Sequence, residues 1–130
     1  MATIHREPKQ VKWIGVRPGH NGAQVVADDS CAALLTSVYL VPADSLFLWY
    51  GFIVNSAFGA GGNAELYTYN AVPALLNTYV SQGGVANMGI ALTKSFDPPI
   101  ELPAGYTIRI NTTVGTISIH ALIHGILIDA

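Results

Sequence analysis

Charge is the scarcest resource in this sequence. Only 11% of its 130 residues are Asp, Glu, Lys or Arg, against about 25% in an average soluble domain, while 51% are hydrophobic. So few charges cannot easily cover a free monomer, which predicts that some apolar surface is buried against other chains. Cysteine is nearly absent as well. The single Cys31 excludes an intrachain disulfide, and its place in an apolar run predicts a small core residue rather than a reactive thiol. Long apolar runs are missing too. A spanning helix needs about 20 predominantly apolar residues. Leu46 to Val54 is too short and is cut off from the preceding run by Pro42 and Asp44, and Ile117 to Ile128 contains His120 and His124. The opening MATIHREPKQ has no apolar centre of the signal-peptide type. No membrane partner is expected.

The charges that exist are unevenly spread. Residues 1–17 carry Arg6, Lys9, Lys12 and Arg17 against Glu7, a balance of +3. The remainder carries Lys94 and Arg109 against Asp28, Asp29, Asp44, Glu65, Asp97, Glu101 and Asp129, a balance of −5. A basic leader on an acidic body is an asymmetry with meaning. Four dispersed cations do not make the dense, aromatic-interleaved patch that nucleic acid selects, so no nucleic-acid partner is expected.

The length suits one domain with a real core. No internal repeat or low-complexity segment is visible. Residues 1–10 are polar, contain Pro8 and show no clear period. The division is therefore an N-terminal arm over 1–15 and a folded domain over 16–130. Within the domain, short apolar stretches alternate with Gly/Pro punctuation. VKWIGVR (11–17), AQVVA (23–27), 31–41, SLFLWYGFIV (45–54), 65–69 and 85–93 read as strands. Residues 72–79 suit either a strand or one to two helical turns. In 45–54 strict alternation sends Leu46, Leu48, Tyr50, Phe52 and Val54 one way and Phe47, Trp49 and Ile53 the other. A strand apolar on both faces belongs inside a sandwich and also against a neighbour. Asp97-Pro98-Pro99 is expected to end a strand region, because proline lacks the ladder donor, and Pro103-Ala104-Gly105 forms a turn. Tyr106, Ile108 and Ile110 then alternate with Thr107, Arg109 and Asn111 as a half-buried strand. In the last strand Ile117, Ile119, Ala121 and Ile123 oppose Ser118, His120, Leu122, His124 and Ile126. Eight or nine short strands without a long helix predict an all-β jelly-roll β-sandwich with a short N-terminal arm.

The final third, FDPPIELPAGYTIRINTTVGTISIHALIHGILI, resembles the closing hairpin of trimeric jelly-roll heads. These include the TNF/C1q-like fold and viral proteins built on it, such as phage head-decoration proteins and tail-fibre tips. The matching features are the turn Leu102-Pro103-Ala104-Gly105-Tyr106 and the apolar last strand, and the likeness spans roughly residues 25–130. It implies a homotrimer packed about a threefold axis by strands apolar on both faces. Leu48, Tyr50, Phe52, His120, Leu122 and His124 would lie at that interface. It also implies an arm that fastens the head to a shell. Arg6, Lys9 and Lys12 would meet acidic groups of a major capsid protein or other virion subunit, and Trp13 would anchor the junction.

Chemistry-bearing patterns are sparse. His120 and His124 are four residues apart on one strand, roughly 13 Å, too far to share one metal ion within a chain. The loop Phe58-Gly59-Ala60-Gly61-Gly62-Asn63 lacks the Gly-Lys-Ser/Thr ending and following helix of a phosphate cradle. Asp28, Asp29 and Asp97 show no calcium-loop spacing. Asn111-Thr112-Thr113 matches a glycosylation acceptor, which matters only in a secretory pathway. No nucleophile elbow or paired carboxylate is visible. The expectation is a protein that is no enzyme, with no metal and no cofactor. The first reading is a trimeric capsid-decoration or cement protein of a phage virion, assembled in the host cytoplasm. The alternative is a receptor- or glycan-binding head, with Tyr67, Tyr69, Tyr79 and the Gly59–Asn63 loop lining a sugar site.

Overall fold

Period-two alternation of apolar and polar residues, broken by Gly and Pro, produces strands and little else. The structure is a computed structural model and describes residues 22–31, 35–58, 62–83, 89–112 and 116–129. Eight strands follow in chain order: β1 (Gly22–Cys31), β2 (Thr36–Leu40), β3 (Ser45–Phe58), β4 (Asn63–Tyr69), β5 (Leu75–Gly83), β6 (Gly89–Pro103), β7 (Thr107–Thr112) and β8 (Thr116–Asp129). They form two four-stranded antiparallel sheets, ordered β1-β8-β3-β6 and β2-β7-β4-β5. First pairs with last, second with seventh, third with sixth and fourth with fifth. A long antiparallel ribbon rolled so that alternate pairs fall in opposite sheets is the jelly roll. The expected arm and the expected strand over 11–17 lie outside the described residues.

The inner faces of both sheets build one core. From the first sheet come Phe47, Trp49, Phe52, Val54, Phe58, Leu102, Ile119, Ala121 and Ile123, and from the second Ala64, Leu66, Val80, Ile108 and Ile110. Trp49 sits at its centre in an aromatic cluster, 4.9 Å from both Tyr79 and Phe96 and 5.8 Å from Phe52 between ring centroids. Its indole N–H donates to the Gly51 carbonyl at 2.9 Å, which satisfies the one polar group that such deep burial would strand.

Three departures from simple alternation have physical causes. First, Tyr50 is an extra residue in β3: Trp49 faces Gly125 of β8, and Gly51 faces the next residue back, His124. This bulge reverses the parity of the strand. Phe47 and Trp49 point inward before it, and Phe52 and Val54 point inward after it. The expected common face of Leu48, Tyr50, Phe52 and Val54 is thereby split. Second, β6 does not stop at the prolines. It runs through them, with residues 96–99 bulged out between the Trp49–Ile100 and Gly51–Ser95 pairs. Because β6 is an edge strand, the missing donors cost no ladder bond, and the bulge delivers Phe96 to the aromatic cluster. Third, 75–83 is strand, not helix, with Tyr79 and Leu76 as the extra residues of two bulges against β4.

One end of the sandwich is tied by three turns. Val41 and Gly105 donate backbone bonds to Tyr106 and Val41 carbonyls, each at 2.9 Å. Asn70 Oδ1 accepts from the N–H groups of Val72 and Ala74. Gly105 takes φ 85°, the left-handed region that glycine enters without strain.

Candidate functional site

A sandwich leaves two outer faces, and here they differ. On the first sheet, β8 turns Leu122, His124, Ile126 and Ile128 outward between β1 and β3. Register places Val26 beside His124, Ile53 beside Leu122, Leu48 beside Ile126 and Leu46 beside Ile128. Val26 is 60% exposed and Ile53 41%. Leu48 stands outside the core cluster yet is only 4% exposed. The same rows also carry polar side chains: Gln24 beside Ile126, Asp28 beside Leu122, and Ser30 and Asn55 beside His120. His120 Nε2 lies 3.5 Å from Asp28 Oδ2, with both side chains largely exposed. Gly51 has no Cβ to collide with the Lys94 carbonyl, and a Cβ there would stand 3.0 Å from the His124 ring. Tyr50, at the bulge, is half-buried. Burial first, and then the nearby Asp97 charge, raises its phenol above the ordinary range.

Of the six residues expected at a subunit interface, Leu48, His120, Leu122 and His124 occupy this one outer face, and Tyr50 sits on its bulge. Phe52 does not join them: the bulge turns it into the chain's own core, 2% exposed. Arg6, Lys9, Lys12 and Trp13 lie outside the described residues.

The second sheet's outer face is polar and wired. Glu65, Tyr67 and Tyr69 of β4 stand opposite Asn111, Arg109 and Thr107 of β7. Asn111 Nδ2 donates to Glu65 Oε1 at 2.9 Å. The Tyr67 phenol is raised to about 12, chiefly by burial and next by its hydrogen bond to Glu65. The Arg109 guanidinium lies 4.4 Å above the centre of the Tyr69 ring, and its Nε donates to Thr107 Oγ1 at 3.0 Å. Tyr67 and Tyr69 meet edge to face at 6.1 Å. At one end of this face Leu40 and Leu75 are 58% and 52% exposed, flanking Thr107 and Tyr69 in the same cross-strand row.

The sugar-site expectation is therefore redrawn. Tyr67 and Tyr69 share a surface, whereas Tyr79 is the extra residue of a bulge and points into the core against Trp49. Gly59, Ala60 and Gly61 lie outside the described residues. Arg109, Glu65 and Asn111 are the partners that sequence reasoning missed. Alternation put Arg109 and Asn111 on an outward face, but only the β4–β7 pairing sets them against the tyrosines. Among the described residues, no group of three or more His, Cys, Asp or Glu side chains is placed to hold a metal ion, and no helix is long and apolar enough to cross a membrane.

No protein-family model and no characterised protein sequence matches this chain. Among solved structures, the chain is similar to those of infectious bursal disease virus, Gx strain (14% identity, TM-score 0.41) and Gt strain (11%, 0.40), covering 92% of this chain and 38% of each viral chain. A mutant VP2 protein of the same virus, from derived T=1 particles, matches at 12% identity and TM-score 0.39, over 92% of this chain and 36% of the other. The chain thus spans less than two fifths of the length of the solved chains it matches.

Proposed function

We propose that this protein is a virion structural subunit: a homotrimeric jelly roll that decorates or cements a phage head, with no catalytic role. The observation that carries the reading is the outer face of the first sheet. An antiparallel sandwich ordinarily alternates apolar inward and polar outward. Here Val26, Leu46, Leu48, Ile53, Leu122, Ile126 and Ile128 share the outer face with Gln24, Asp28, Asn55, His120 and His124, and Val26 and Ile53 stand well exposed. A surface of that kind on a chain with 11% charge calls for cover, and a second and third copy of the same chain supply it. Copies related by a threefold axis would bring His120 and His124 near their symmetry mates. The arm, residues 1–15, then fastens the trimer to the shell through Arg6, Lys9, Lys12 and Trp13. Sedimentation at micromolar concentration should give three times 13.8 kDa; a clean monomer overturns the reading. Deleting residues 2–10 should leave the trimer intact and abolish attachment to the shell.

A second reading, a glycan-binding head, is favoured by a separate observation: the ordered Tyr67–Tyr69–Arg109–Glu65–Asn111 surface on the opposite sheet. The two readings use different faces, so one trimeric protein can satisfy both.

A further inference from the structure

We propose that the outer face of the second sheet binds a carboxylate-bearing sugar, a uronic or sialic acid, and that Arg109 selects the carboxylate. This rests on the glycan-binding reading and goes beyond it by naming the class of sugar and the residue that chooses it.

Arg109 is half-buried and held on two sides. Its guanidinium stacks on the Tyr69 ring at 4.4 Å, and Nε is engaged by Thr107 Oγ1. Among the described residues, no hydrogen bond or ion pair engages its two terminal amino groups. A partly desolvated guanidinium whose plane is fixed and whose outer edge is open is a preformed receptor for a planar anion, because the Arg fork matches a carboxylate with two parallel bonds. Holding the fork in place beforehand removes the ordering cost that a free arginine would meet on binding.

The surroundings decide between anions. A sugar acid carries one carboxylate, several hydroxyls and an apolar C–H face. The cross-strand row next to Arg109 presents Leu40, Tyr69 and Leu75 as apolar and aromatic surface, with Tyr69 in contact with the guanidinium. Tyr67, Glu65 and Asn111 border it on the other side, where Glu65 can accept from sugar hydroxyls. The same Glu65 charge disfavours a polyacidic peptide, since like charges in contact are penalised.

The test is a titration of the full-length chain with glucuronic acid, N-acetylneuraminic acid, glucose and the methyl ester of glucuronic acid, read by amide NMR shifts in β4 and β7. Saturable shifts with at least one free acid, at least tenfold tighter than with glucose or the ester, support the proposal. The ester removes charge from the ligand and leaves the protein untouched, so this arm does not depend on a variant folding. Arg109→Gln should erase the preference for the acid, while Arg109→Lys, a cation without the fork, should restore only part of it. Equal binding of acid, ester and glucose overturns the acid selectivity and leaves a sugar-binding face. No shift with any sugar overturns the glycan reading as well. An Arg109→Gln protein that keeps the acid preference overturns the assignment to Arg109.

Discussion

The two outer faces of this sandwich solve the same problem in opposite ways. Both sheets bury their inner side in one core, so each must settle what to do with the other side. The second sheet turns out Glu65, Tyr67, Arg109 and Asn111 and ties them together with hydrogen bonds and a stacked cation. At one end of that surface Leu40 and Leu75 stand exposed beside the wired groups. The first sheet turns out leucines, isoleucines and a valine, interleaved with Gln24, Asp28, Ser30, Asn55, His120 and His124 and not tied together in the same way. The difference lies in wiring rather than in charge, since charged residues stand on both faces: Asp28 and Glu101 on the first, Glu65 and Arg109 on the second.

The comparison presumes one shared core, and the largest effect tests that. Trp49→Ala removes the centre of the aromatic cluster and should cost about 3–5 kcal/mol in denaturant unfolding, lowering both sheets together. Separate transitions for the two sheets would break the premise. Next comes the contrast itself. Leu122→Asp places a carboxylate on the apolar face and should weaken self-association by at least about a hundredfold, whereas Tyr67→Ser on the other sheet should leave the sedimentation coefficient unchanged. Equal effects from the two would erase the distinction between the faces.

A smaller effect concerns how β8 fits under β3. A Cβ on Gly125 would collide with the Leu48 carbonyl oxygen and with the Phe47 ring, so Gly125→Ala should cost about 1–3 kcal/mol through overpacking. Thermal melts that match the parent would mean that both the β3 backbone and Phe47 have room to move. Smaller still is Thr68→Val. The Thr68 hydroxyl is fully buried and has no partner among the described residues, and exchanging it for a methyl should stabilise by about 1 kcal/mol; a loss of stability would reveal a partner for that hydroxyl.

The last effect changes with pH only in the alkaline range. The folded chain holds the Tyr67 phenol up at about 12 against an ordinary 10.0. Between those values the folded state keeps a proton that the unfolded state has released. Its contribution is therefore fully present below pH 10 and is lost as pH rises toward and beyond 12. Ultraviolet phenolate titration should show a tyrosine titrating near 12 that Tyr67→Phe removes; a titration curve left unchanged by Tyr67→Phe would count against the wired surface.

Much of the fold was legible because alternation is a local property. The placement of Ile108 and Ile110 inward against Arg109 and Asn111 outward, and of Ile119, Ala121 and Ile123 against His120 and Leu122, follows from period two alone, and both hold in the structure. Phe52 and Tyr79 were misplaced for one shared reason. Each lies at or beyond a bulge, and a bulge adds one residue without any mark in composition. The prolines at 98 and 99 looked like a strand end because their tolerance depends on whether β6 lies at an edge, which is a fact about neighbours rather than about residues.

By itself, then, the sequence determined an all-β chain, its turns, most of its inward-facing residues and a shortage of charge that points to association. Those are consequences of side-chain polarity and backbone stereochemistry over a few residues. Only the tertiary structure decided which outward residues share a surface. It brought β7 beside β4, so that Arg109 reaches Tyr69 across forty residues of chain, and set β8 between β1 and β3, so that Leu122, Ile126 and Ile128 meet Ile53, Leu48 and Leu46. Strand pairing depends on long-range packing of two inner faces into one core, and no local pattern encodes which strand will be the neighbour.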